Sequence, residues 1–142
     1  MVGVDAQLTS RKPGLEEEED QSLGAQLRRR RRKLRHRRID AARLIGTNWK
    51  SLMLWERNER EPHDQSWPAI IAYLDREPWH EPVTLGDRLR AERRRRGLAI
   101  FEAASAMCID ETTLGQWERS ERQPTHSRTK ALVAGFLRDE DC

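Results

Sequence analysis

Two runs of cations are the densest chemistry in the chain: Arg28–Arg32 with Lys33, and Arg93–Arg96. Guanidinium forks bind phosphate and carboxylate oxygens in pairs, so such runs point to a polyanionic partner. They wrap whole helical turns, so only part of each run can face one ligand, and the remaining stems cover apolar surface or stay solvated. The other reactive residue types form no constellation. His36, His63, His80 and His126 are scattered with no i, i+4 pair, and Cys108 and Cys142 offer no Cys-x-x-Cys or Cys/His spacing for zinc. There is no Gly-rich phosphate loop, nucleophile elbow or carboxylate dyad. The expectation is a protein with no catalytic activity, no metal and no cofactor. No apolar run is long enough to span a bilayer and no signal-peptide core is visible, so a reduced, soluble, cytoplasmic protein is expected.

Charge is segregated along the 142 residues. Residues 1–22 carry two Lys/Arg against six Asp/Glu, including the acidic run Glu16–Asp20, and lack periodicity; they are expected to be disordered. Residues 23–74 carry thirteen against five, a net of +8, and residues 85–136 carry ten against seven, a net of +3. Charge separated in this way favours a polyanion as partner of the middle of the chain.

The elements that must position these cations come twice. A shift of 62 residues lays Leu23-Gly24 on Leu85-Gly86, Leu27-Arg28 on Leu89-Arg90, Ala41-Ala42 on Ala103-Ala104 and Trp55-Glu56-Arg57 on Trp117-Glu118-Arg119. Pro62 lands on Pro124, and 17 of 52 positions are identical without a gap, more than shared Arg richness explains. Each copy reads as helix throughout. Leu23, Leu27 and Leu34 form one stripe of a first helix. Asn48 and Asp110 stand where a helix would begin, as side chains able to accept orphan N–H bonds. Pro62 and Pro124 keep the helices that carry the Trp-Glu-Arg runs from continuing. Trp67, Ile70, Ile71 and Leu74 give a last helix its buried face, with Leu132, Val133 and Phe136 in the second copy. The domain expectation is an acidic segment 1–22, module 23–74, a linker 75–84 held extended by Pro78 and Pro82, module 85–137 and a tail 138–142.

The second copy runs Leu85-Gly-Asp-Arg-Leu-Arg, then Ala103-Ala104, Ile109-Asp110-Glu111-Thr112-Thr113-Leu114 and Trp117-Glu118-Arg119. This resembles the Cro and phage repressor helix-turn-helix family, with its Leu-Arg-x-x-Arg first helix, Ala in the second helix and Trp-Glu exit from the recognition helix. The resemblance covers about three quarters of the chain, twice and in register. It implies an all-α fold of two tandem five-helix repressor-like modules and a bacterial-type, sequence-specific regulator of transcription that binds double-stranded DNA. It further implies that Leu52, Leu114, Trp55 and Trp117 are core, that Ala42 and Ala104 let two helices meet, and that Arg31 pairs with Glu56 and Arg93 with Glu118. The turn between the two helices needs a left-handed residue; Gly46 suits it, and Cys108 replaces it in the second copy.

By the same resemblance, Asn48, Trp49 and Lys50, then Met53 and Leu54 on later turns, face DNA in copy one. In copy two the corresponding residues are Asp110, Glu111 and Thr112, then Gly115 and Gln116. Gln116 can pair with adenine, Glu111 can accept from cytosine N4, and Thr112 can contact an edge or a methyl. Arg38 takes the position of a residue that braces phosphate, where copy two has Ile100. The first copy would then supply backbone charge and the second sequence reading. Trp49, Met53 and Leu54 would expose apolar area, which marks a protein contact as readily as a DNA face. The alternative is therefore an adaptor or antirepressor that keeps the fold and binds a protein through these three side chains. The linker spans at most about 36 Å, so one chain could reach two half-sites one helical turn apart as a monomer.

Overall fold

A computed structural model describes residues 20–138. Eight α-helices and one 3-10 turn make up the regular structure of those residues, so the fold is all-α. They are α1 (Leu23–Lys33), α2 (Arg38–Ile45), α3 (Trp49–Glu56), α4 (Trp67–Leu74), α5 (Leu85–Arg96), α6 (Ile100–Ala106), α7 (Glu111–Glu118) and α8 (Ser127–Leu137). Each repeat thus has four α-helices where five were expected. The segment between the third and last helix of each copy holds Pro62 or Pro124 and no apolar stripe; it forms only the 3-10 turn Asp64–Ser66 in copy one. Most of the acidic segment 1–22 and all but one residue of the tail lie outside the described residues.

The chain divides into two compact units. Of the described residues, one takes 20–61 together with Ala72–Trp79; the other takes Pro62–Ile71 and 80–138. In the first, α1, α2 and α3 bury Ala25, Leu27, Ala41, Ala42, Ile45, Leu52 and Trp55. Residues 75–79 carry no helix, yet Pro78 is buried and its carbonyl accepts from Gln26 Nε2 at 2.9 Å. In the second, Leu89, Ala103, Ala104, Met107, Leu114, Trp117, Val133 and Phe136 form one core. Pro62–Ile71 belong with it because Asp64 pairs with Arg93 at 2.9 Å, the Arg94 guanidinium lies 4.6 Å over the Trp67 ring, and Pro68 lies against Gly97. The four residues expected in the core, Leu52, Trp55, Leu114 and Trp117, are all buried.

The backbone repeats as closely as the sequence. Left-handed residues stand at Arg35 and Gly97, at Gly46 and Cys108, and at Asn58 and Ser120, each pair 62 apart. Their turns carry matching hydrogen bonds. His36 N–H donates to the Arg31 carbonyl and Leu98 N–H to that of Arg93, both at 3.0 Å. Thr47 N–H donates to Ala42 and Ile109 N–H to Ala104, closing the turn between the second and third helices. Cys108 therefore does adopt the left-handed geometry that Gly46 holds in copy one. It is not the reduced thiol expected, because it is disulfide-bonded; Cys142, the other cysteine of the sequence, lies outside the described residues.

Candidate nucleic-acid interface

A buried carboxylate fixes the third helix of each copy against the first. Glu56, 1% exposed, accepts from Arg31 Nε at 2.7 Å and from its second guanidinium nitrogen at 3.1 Å. Glu118 receives Arg93 in the same fork at 2.8 and 2.9 Å. Both ion pairs expected from the resemblance are present. Burial alone would lower the Arg93 pKa, but the hydrogen bonds and charge of Glu118 and then Asp64 outweigh it and raise the value. Removing one member of such a pair leaves a buried charge alone, at about 3–5 kcal/mol. Arg28 and Arg90 add a second tie by donating to the backbone carbonyls of Glu56 (2.6 Å) and Glu118 (3.3 Å).

Two glycines bring the helices this close, a role not foreseen beyond their match in the repeat. A Cβ at Gly86 would stand 2.5 Å from the Trp117 carbonyl oxygen and 2.6 Å from that of Glu118, and Gly24 faces the same pair of carbonyls at Trp55 and Glu56. The Gly24 N–H also donates to Asn58 Oδ1 at 3.0 Å, so the left-handed Asn58 caps α1 from across the unit. The Leu-Gly identity at the start of each copy was the only sequence signal for this contact.

The expected contact residues meet different fates. Arg38, expected on phosphate, donates Nε to Glu56 at 3.1 Å, although its side chain stays 45% exposed. Its position at the start of α2 lets its long stem reach the same carboxylate that Arg31 holds. Asn48 caps α3: its Oδ1 accepts from the Ser51 N–H at 2.8 Å. Trp49, 52% exposed, and Lys50 extend outward from the first turn. Met53 and Leu54 are half-buried, so the expected apolar patch shrinks to Trp49 on this helix. Ile39 and Leu44 on α2 are exposed instead.

In copy two, Asp110 caps α7, accepting from the Thr113 N–H at 2.8 Å and the Thr113 hydroxyl at 2.9 Å. These bonds hold its carboxyl below the ordinary aspartate range. Glu111 and Thr112 are exposed and Gln116 is half-buried. Gly115 is buried, with the Arg119 guanidinium and Ile100 over it, so the exposed position expected there is absent. The pairs α2–α3 and α6–α7 also differ in charge. Residues 38–56 carry three cations and two carboxylates, whereas residues 100–118 carry four carboxylates and no Lys or Arg.

Among the described residues no group of three His, Cys, Asp or Glu side chains stands close enough to hold a metal ion, and no helix is long and apolar enough to cross a membrane. No family model, curated protein or solved structure matches the chain.

Proposed function

We propose that the chain is a sequence-specific DNA-binding regulator of transcription, built from two tandem modules of the Cro and repressor class, with the first copy as its main contact to the duplex. The observation that carries this reading is the start of α3. Asn48 fixes the helix end, and Trp49 and Lys50 are exposed beside it, within the segment of net charge +8. A helix N-terminus with a cation and an aromatic side chain can meet phosphate and base together. The corresponding surface of α6–α7, with ionised Asp110 and exposed Glu111, repels phosphate, so its base-reading capacity rests on Thr112 and Gln116. The reading needs no cofactor and places the chain in the cytoplasm, where the Cys108 disulfide would be reduced.

A second reading has its own observation. Ile39, Leu44 and Trp49 are all large, apolar and exposed on α2 and α3, which suits an adaptor that docks a protein partner there. Mobility-shift titrations against random and selected duplexes at two salt concentrations separate the two. The DNA reading expects binding that weakens steeply with salt and a preference for selected sequences. Absence of binding at low salt would remove it in favour of the adaptor.

A further inference from the structure

The two repeats carry a cleft at the same place, and its chemistry has diverged. In the first unit Gln26, Arg29, Arg30, Lys33, Leu74 and Arg76 line a cleft of about 300 Å³, with four cations and no carboxylate among the described residues that line it. In the second unit the cleft of about 270 Å³ is lined by Glu81, Pro82, Arg88, Glu92, Arg95 and Leu137. Three positions correspond across the 62-residue shift: Gln26 with Arg88, Arg30 with Glu92, and Lys33 with Arg95. Glu81 and Glu92 together balance Arg88 and Arg95 in that cleft, and Glu92 pairs with Arg95 and with the neighbouring Arg96 at 2.9 Å each. Arg30 stands in its place in the first unit and adds a charge instead of removing one.

The cations of the first cleft are held but not spent. Arg30 Nε donates to the Tyr73 carbonyl at 2.9 Å, which sets the guanidinium plane and leaves its terminal nitrogens. One terminal nitrogen of Arg29 donates to the Asp20 carbonyl at 2.8 Å. The side chains of Lys33 and Arg76 have no hydrogen bond or ion pair among the described residues. At 100° per residue, Gln26, Arg29, Arg30 and Lys33 share one face of α1, centred opposite the face of Gly24, Arg28 and Arg31 that meets α3. The cleft is thus separate from the helix proposed to meet DNA.

We infer that this cleft binds a compact polyanion with two adjacent phosphoryl groups, such as free pyrophosphate or the diphosphate of a nucleotide. Four cations crowded round a small volume repel one another, and a single carboxylate or phosphate would leave at least two of them unmatched. A diphosphate has both the charge and the oxygen count for two guanidinium forks and an ammonium. Leu74 and the aliphatic stems leave one wall apolar, as small-ligand sites usually have.

Pyrophosphate binding does not depend on the DNA reading, and duplex affinity enters its test only as the control that separates the two surfaces. Calorimetric titration of the full chain with inorganic pyrophosphate should give saturable binding, and inorganic phosphate should bind more weakly. Lys33→Ala with Arg76→Ala removes the two cations that no described residue pairs with. Arg30→Glu installs the second unit's chemistry. Each should weaken pyrophosphate by about tenfold or more while thermal melting reports a folded chain. Should Arg30→Glu fail to fold, the Lys33/Arg76 double variant decides. Duplex affinity, read separately, should change by less than about threefold, since the cleft lies on the far face of α1 and the charges are screened. Failure of the wild-type chain to bind pyrophosphate, or equal binding by the variants, would overturn the inference. Parallel loss of pyrophosphate and duplex binding would overturn it too, by making the cleft part of a nucleic-acid surface.

Discussion

Gly86 sits where α5 passes the carbonyls at the end of α7, and nothing larger fits. A Cβ there meets the backbone oxygens of Trp117 and Glu118 at 2.5 and 2.6 Å, and backbone gives way less easily than a side chain. Gly86→Ala should therefore destabilise by about 1–3 kcal/mol, the range for overpacking, with a lowered melting temperature as the check. Arg35 presents the opposite case. It holds φ +58° at the position where the second copy has Gly97. Left-handed geometry costs a non-glycine residue about 1–2 kcal/mol, and glycine returns about 0.5–1 kcal/mol of that through unfolded-state entropy. Arg35→Gly should raise stability by up to about 1 kcal/mol, read from denaturant midpoints at unchanged slope. At this scale the sequence was legible where a motif carried a partner. Trp-Glu-Arg occurring twice pointed to Arg31–Glu56 and Arg93–Glu118, and both pairs formed. It was not legible where a long side chain chose among acceptors, as Arg38 did with Glu56, or where one folded over its neighbour, as Arg119 did over Gly115.

Helix ends were easier to read than helix faces. Asn48 and Asp110 cap α3 and α7 as their side-chain chemistry dictates, but those helices close at the left-handed Asn58 and Ser120, four residues before the prolines expected to stop them. The second helix of each copy begins differently. Neither Arg37 nor Ala99 caps with its side chain, and the acid three residues on reaches back instead: Asp40 to the Arg37 N–H at 3.2 Å, Glu102 to the Ala99 N–H at 2.8 Å. Half-burial of Met53 and Leu54 was hidden because a run of apolar residues on a short helix does not fix its own rotation. The caps make stability depend on pH. Asp110, through the Thr113 bonds, and Asp87, through the Thr84 and Val83 N–H groups, both have carboxyl pKa values held below the ordinary value. Each contributes stability that is complete above roughly pH 4, where a free aspartate is ionised, and is lost as pH falls through the lowered pKa. Asp110→Asn keeps a capping oxygen, as Asn48 does, but does not titrate. Its melting temperature should fall less steeply than that of the wild type below pH 4, a difference that acid-range thermal melts would register.

Across the whole molecule, two copies of one fold element have acquired different surfaces. Both retain the glycine contact, the buried ion pair and the left-handed turns, so the feature kept in both is the way the third helix is held. The difference is charge: cations on α2–α3 and in the cleft beside α1, carboxylates on α6–α7 and in the matching cleft of the second unit. The all-α fold was legible in helical periodicity and its repetition. The contact surfaces were not, because solvent-facing positions carry no periodic constraint and only their chemistry marks them. The central claim, that the start of α3 meets duplex DNA, is tested most directly by the salt dependence of binding with Lys50 changed. Fluorescence anisotropy of a labelled duplex titrated with wild-type chain and with Lys50→Ala, over a series of salt concentrations, gives the slope of log affinity against log salt. A phosphate contact predicts weaker binding to all sequences and a slope shallower by about one for Lys50→Ala. No binding by the wild-type chain at the lowest salt, or the same affinity and slope for both proteins, would contradict the claim.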